Sequence, residues 1–147
     1  MITASLTQHK SYLQVVFIFP DLKSVETILP GSDPEKLVGE ARRLMYFKNR
    51  DYILQKLTGW LNQRIFAFNI TYRTSCAMDA AKLILMLGHY QNISFFNLCC
   101  LVADHRPQFE ALAPSYRYGR HNGHYNAWRN KIMPVINFCS QIKEGTI

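Results

Sequence analysis

The chain has 147 residues, 48% of them apolar, which is enough to bury a core and too apolar for a disordered tail. Its 17 Lys and Arg against 10 Asp and Glu give a formal charge of +7. That excess suits a phosphate-rich partner, because each neutralised phosphate releases condensed counterions.

Ser11 to Phe19 (SYLQVVFIF) is apolar, rich in β-branched and aromatic residues, and closed by Pro20. It reads as a strand or a short buried segment, which periodicity alone does not separate. Leu29 to Pro34 is turn chemistry that also prepares a helix. Asp33 can cap it, Pro34 suits its first position, and Glu35 favours its positive end. Leu37, Val38, Ala41, Leu44 and Met45 then recur at helical steps to about Lys48. A second helical stretch from Asp51 places Ile53, Leu54, Leu57, Trp60 and Leu61 on one face.

The period changes at Arg64. Phe66, Phe68, Ile70 and Tyr72 alternate with Ala67, Asn69, Thr71 and Arg73, the pattern of a strand with one apolar and one polar side. Thr74 or Ser75 can cap the next helix, which runs to Leu87 and stops at Gly88. Its buried face is expected from Ala77, Ala80, Ala81, Ile84 and Leu87. After the link His89 to Asn92, Ser94 caps a further helix that buries Phe95, Leu98, Leu101 and Val102 and ends near Pro107. An acid-free segment follows, Ser115 to Tyr125, and a last helix over Asn126 to Ile142 carries Pro134 as a kink or break.

A lone strand followed by two short helices leaves both ladder edges open and its apolar faces uncovered. A twofold dimer solves this: two strands pair antiparallel and four helices pack beneath them. In that arrangement Phe66, Phe68, Ile70 and Tyr72 form the dimer core. The span from about residue 64 to 105 thus resembles the ribbon-helix-helix (Arc/MetJ-type) family of DNA-binding proteins. The alternating strand, the Thr-Ser start, the Gly88 turn and the opening Asn92-Ile93-Ser94 carry the resemblance. It implies that Ala67, Asn69, Thr71 and Arg73 reach base edges in the major groove. It also implies a phosphate held at the second helix by Asn92, Ile93 and Ser94.

The expected fold is therefore mainly α: a single domain over 1–147, with a ribbon-helix-helix unit at 64–105. The flanking 1–63 and 106–147 are read as mainly helical extensions, the latter with a basic aromatic loop. Tyr116 to Lys131 interleaves Arg117, Arg120, His121, His124, Arg129 and Lys131 with Tyr116, Tyr118, Tyr125 and Trp128, which suits a nucleic-acid backbone. Arg117 and Arg120 are its candidate phosphate contacts.

Cys76, Cys99, Cys100 and Cys139 show no C-x-x-C spacing and read as buried free thiols. Asp104, His105, His121 and His124 have a faint nuclease or metal-site flavour, but their spacing is poor and core or surface histidines explain them better. No G-x-S-x-G, H-E-x-x-H, Walker or Rossmann motif occurs, so neither an enzyme nor a cofactor is expected.

No apolar run approaches the roughly 18–20 residues of a membrane helix. Met1 to Lys10 lacks the basic start and cleavage site of a secretory signal. These features point to a cytoplasmic protein with no membrane partner, and the resemblance implies a homodimeric, sequence-specific regulator of transcription bound to double-stranded DNA. The alternative is a basic adaptor or nucleoprotein-complex subunit (or a phage inhibitor protein) that binds nucleic acid or protein without reading sequence.

Overall fold

Three short strands come first. The computed structural model describes residues 1–20, 23–89, 92–114 and 123–146. Strands β1 (Thr3–Gln8), β2 (Tyr12–Ile18) and β3 (Ser24–Pro30) form an antiparallel sheet in that order, with β2 central. The register is continuous, Thr3 opposite Ile18 to Gln8 opposite Leu13, and Tyr12 opposite Pro30 to Ile18 opposite Ser24. Leu13, Val15 and Phe17 are buried on one face of β2. The apolar run from Ser11 to Phe19 is thus a strand, and the N-terminal extension is a sheet before it is a helix.

Helix α1 (Pro34–Ile70) follows. The Asp33 carboxylate accepts from the N–H groups of Glu35 and Lys36 at 3.2 and 3.5 Å, the cap expected from Asp33-Pro34. Gly31 makes the entry turn at φ 142, where a Cβ would meet Leu37 Cδ2 at 3.2 Å. The first part of α1 belongs with the sheet. Leu37 and Ala41 are buried, Lys48 Nζ lies 4.9 Å from the Phe17 ring, and the buried Asn49 bonds the backbone of Ile2.

The chain groups into two compact units, Met1–Asp51 and Tyr52–Ile147. The second is helical. It comprises the remainder of α1, α2 (Thr74–His89), α3 (Phe95–Asp104), α4 (Arg106–Ala111), α5 (Gly123–Ala127), a π-helical turn (Trp128–Ile132) and α6 (Met133–Glu144). The molecule is mainly helical, as expected.

The helix over 64–70 corrects the expected ribbon. Residues 64–70 are the end of α1, and 71–73 form the turn into α2. Ile53, Leu57, Trp60, Leu61, Arg64 and Phe68 are buried at helical spacing, so the core stripe of α1 runs straight through the alternating segment. Of the expected dimer core, Phe68 is buried within its own chain. Phe66, Ile70 and Tyr72 are 68%, 60% and 89% exposed.

Tyr72 ends α1 with φ 60. The Arg73 N–H donates to Phe68 O at 2.8 Å and the Tyr72 N–H to Asn69 O at 3.4 Å. This is a Schellman stop, with tyrosine where glycine is usual.

Arg64 is the charged member of the buried stripe. Its Nε–H donates to Leu112 O at 2.9 Å, and its guanidinium carbon lies 4.2 Å from the centre of the Phe68 ring. Burial, and then Arg73, lower its pKa from the ordinary arginine value.

Helices α3 and α6 pack together. The Phe95 and Phe138 rings are 6.1 Å apart. The Arg106 guanidinium bonds Glu110, Ser140 and Asn137, and Lys143 pairs with Asp104.

Where a kink or break is expected at Pro134, the helix makes a π turn just before it. The Met133 N–H bonds Trp128 O, five residues back, just before the residue that has no N–H to offer. All four cysteines are free; Cys99 and Cys139 are buried, Cys76 and Cys100 half-buried. No helix among the described residues is long and apolar enough to cross a membrane.

Candidate nucleic-acid interface

An antiparallel sheet with a helix on one side has a second face, and here nothing in its own unit covers it. Side chains alternate across the strands. With Leu13, Val15 and Phe17 inward, the register puts Thr3, Ser5 and Thr7 of β1 outward, beside Tyr12, Gln14, Val16 and Ile18 of β2. Ser24, Glu26 and Ile28 of β3 join them.

The β1 residues are all exposed, Ile18 and Ile28 are 38% and 48% exposed, and Tyr12, Gln14 and Val16 are half-buried. The face thus offers hydroxyls, the Gln14 amide, the Tyr12 ring and one carboxylate, the exposed Glu26, among short apolar groups. His9 continues it: its ring stacks on Tyr12 at 4.4 Å and 19°, and its Nε2 lies 3.4 Å from Gln14 Oε1. Exposed Lys10 sits in the turn between β1 and β2, and exposed Lys23 precedes β3 at the opposite end of the sheet.

No protein-family model, no curated protein and no solved structure matches this chain. The chemistry of the site therefore has to come from its own side chains.

The residues expected to read bases do not share an outward strand face. Ala67 and Asn69 lie in the last turns of α1. The Thr71 hydroxyl donates to Ala67 O and Phe68 O at 3.0 and 3.2 Å, and so serves the helix end. Arg73 is exposed in the following turn. Asn92 is exposed and Ile93 half-buried before α3. Ser94 caps α3 as expected, its Oγ accepting from the Asn97 N–H at 3.3 Å. The expected contacts Arg117 and Arg120 lie outside the described residues, as does His121.

Two described members of the faint nuclease grouping have other partners. Asp104 pairs with Lys143, and His105 Nδ1 lies 2.8 Å from Leu101 O. No group of three metal-ligating side chains occurs among the described residues.

Charge is unevenly shared. Residues 52–147 carry ten of the 17 Lys and Arg but only four of the 10 acids. Exposed Lys82, Arg129 and Lys131 belong to this unit. The sheet face was not visible in the sequence because β1 (TASLTQ) is too polar to read as a strand. Its one signal is Leu6 among hydroxyl residues, two positions from Ala4.

Proposed function

We propose that the protein is a non-enzymatic binder of double-stranded DNA that reads sequence with the open face of its N-terminal sheet, in the service of transcription regulation. The supporting observation is that uncovered face, with Ser5, Thr7 and Gln14 outward and a lysine at each end. Adjacent strands fit the major groove, where amides bond adenine and hydroxyls bond several base edges. Lys10 and Lys23 supply phosphate contacts that position but do not specify. The reading keeps the class of function expected from the sequence and moves the reader from 66–73 to 3–18.

Fluorescence-anisotropy titration tests it, using a duplex selected by the protein from a random pool and an unselected duplex as control. Gln14→Ala weakens the selected duplex by about 1–3 kcal/mol and leaves the control unchanged. Lys10→Ala weakens both and reduces the salt slope by about one. Equal affinity of the wild type and the Gln14→Ala and Thr7→Ala variants for the selected duplex removes the sheet from the readout.

A second reading is favoured by one observation. Phe66 and Ile70, one helical turn apart, are exposed together with Tyr72 on the helical unit. Such apolar side chains suit a protein partner, and the protein would then be an adaptor. Retention of DNA binding by a Phe66→Ser/Ile70→Ser protein separates the two activities.

A further inference from the structure

Both outer strands of the sheet have a free edge, but the two edges differ. β3 carries Glu26 and ends at Pro30, devices that discourage further pairing. β1 is six uncharged residues without proline, paired to β2 in unbroken register.

The hydrogen bonding of β1 can be assigned residue by residue. The His9 N–H donates to Tyr12 O at 2.9 Å, which makes His9 and Tyr12 a hydrogen-bonded pair. Alternation then turns the backbone groups of Thr3, Ser5 and Thr7 toward β2, and those of Ile2, Ala4, Leu6 and Gln8 away from it. The outward groups of Ile2 are already met by Asn49: its Oδ1 accepts from the Ile2 N–H at 3.1 Å, and its Nδ2 donates to Ile2 O at 3.5 Å. At Ala4, Leu6 and Gln8 the outward N–H and C=O groups have no partner among the described residues.

Beside this edge lies a cleft of about 320 Å³ between β1 and α1. Ala4, Leu6, Val38, Ala41, Arg42 and Met45 line it. Leu6 stays 44% exposed there.

We propose that β1 is a self-pairing edge, through which two copies of the chain join antiparallel about a twofold axis at Ser5. The sequence of the strand selects this occupant and this register. With Ser5 opposite the partner's Ser5, Ala4 faces the partner's Leu6 and Leu6 faces the partner's Ala4. The large side chain of each copy meets a small one and enters the cleft of the other.

On the opposite face Thr3 meets the partner's Thr7, a favourable cross-strand pairing. No like charges in β1 oppose each other. Ala4 and Leu6 fall in hydrogen-bonded pairs, so their free backbone groups are satisfied in both copies. The Asn49 amide stops the ladder at Ile2. The interface is isologous and closed. The proposal is independent of DNA binding, and its test contains no DNA.

Ser5 falls at a non-hydrogen-bonded pair, where Cα atoms lie about 4.5 Å apart, within the span of a disulfide. A Ser5→Cys protein, mildly oxidised, therefore forms a covalent dimer faster than the wild type, whose half-buried Cys76 and Cys100 provide the background. Sedimentation equilibrium of the wild-type chain gives a reversible dimer. Leu6→Lys, with its circular dichroism unchanged, raises the dissociation constant at least about tenfold by placing a charge on the edge. A wild-type monomer at submillimolar concentration overturns the proposal. So does a dimer that tolerates Leu6→Lys, or a Ser5→Cys protein that crosslinks no faster than wild type.

Discussion

Replacing Tyr72 with glycine stabilises the protein. The residue closes α1 at φ 60, a conformation that costs an L-amino acid roughly 1–2 kcal/mol and glycine almost nothing. Its side chain is 89% exposed, so removing it forfeits little burial. Against this, glycine loses more backbone entropy on folding, about 0.4–1 kcal/mol.

The difference is a gain of roughly 0–1.6 kcal/mol, read as a rise in the urea midpoint at unchanged slope. The sign carries the information. Were Tyr72 a core residue of an intersubunit ribbon, deleting its ring would cost about 3–5 kcal/mol, as large-to-small aromatic changes in cores do. A clear loss of stability for Tyr72→Gly therefore refutes the helical stop. Tyr72→Val sharpens the contrast, because a β-branched residue tolerates positive φ worst and here lowers the midpoint.

Gly31→Ala destabilises the N-terminal unit by about 1–3 kcal/mol, because φ 142 is closed to alanine and its Cβ presses on Leu37; urea unfolding monitored by circular dichroism measures it. Thiol labelling of the native protein at mildly alkaline pH modifies Cys76 and Cys100 and spares Cys99 and Cys139 until unfolding. The hydrogen bond with Cys99, and then burial, push the Cys139 thiol far above its ordinary range. Since the folded pKa exceeds the unfolded one, the stability this group contributes is complete below the normal thiol pKa and declines as pH rises above it. Urea midpoints measured on either side of that pKa, with wild type compared to Cys139→Ala, isolate that decline.

The helical elements were legible where apolar spacing and end signals agreed. Asp33-Pro34 announced the start of α1, and Ser94 announced α3, because caps act on the adjacent turn and need no tertiary information. The failure at 64–73 has a definite cause. Phe66, Phe68, Ile70 and Tyr72 alternate and favour a strand locally. The stripe that overrides them, Leu57, Leu61, Arg64 and Phe68, contains an arginine in a position that an apolar face ordinarily gives to an apolar residue. Only the tertiary partner, the Leu112 carbonyl almost fifty positions away in the chain, shows that Arg64 faces inward. With no proline between Pro34 and Pro107 to end the helix earlier, propagation of α1 wins over local β-propensity.

The sheet was hidden for the complementary reason. A strand that is buried on one face by a single helix needs few apolar residues, and an edge strand needs fewer still. β1 has Ala4 and Leu6 on its inner side and nothing else to mark it, while β2, buried at Leu13, Val15 and Phe17, was conspicuous. The polarity that concealed β1 is also what equips it for both proposed roles. Its outward hydroxyls at Thr3, Ser5 and Thr7 leave the open face chemically able to meet base edges, whereas an apolar strand would have demanded a second packed layer. Its lack of charge leaves the edge able to meet another strand, whereas a lysine there would have blocked it. Face and edge are orthogonal surfaces of one strand, so pairing two copies through Ala4 and Leu6 leaves the hydroxyl face uncovered and doubles the number of its strands across the twofold axis.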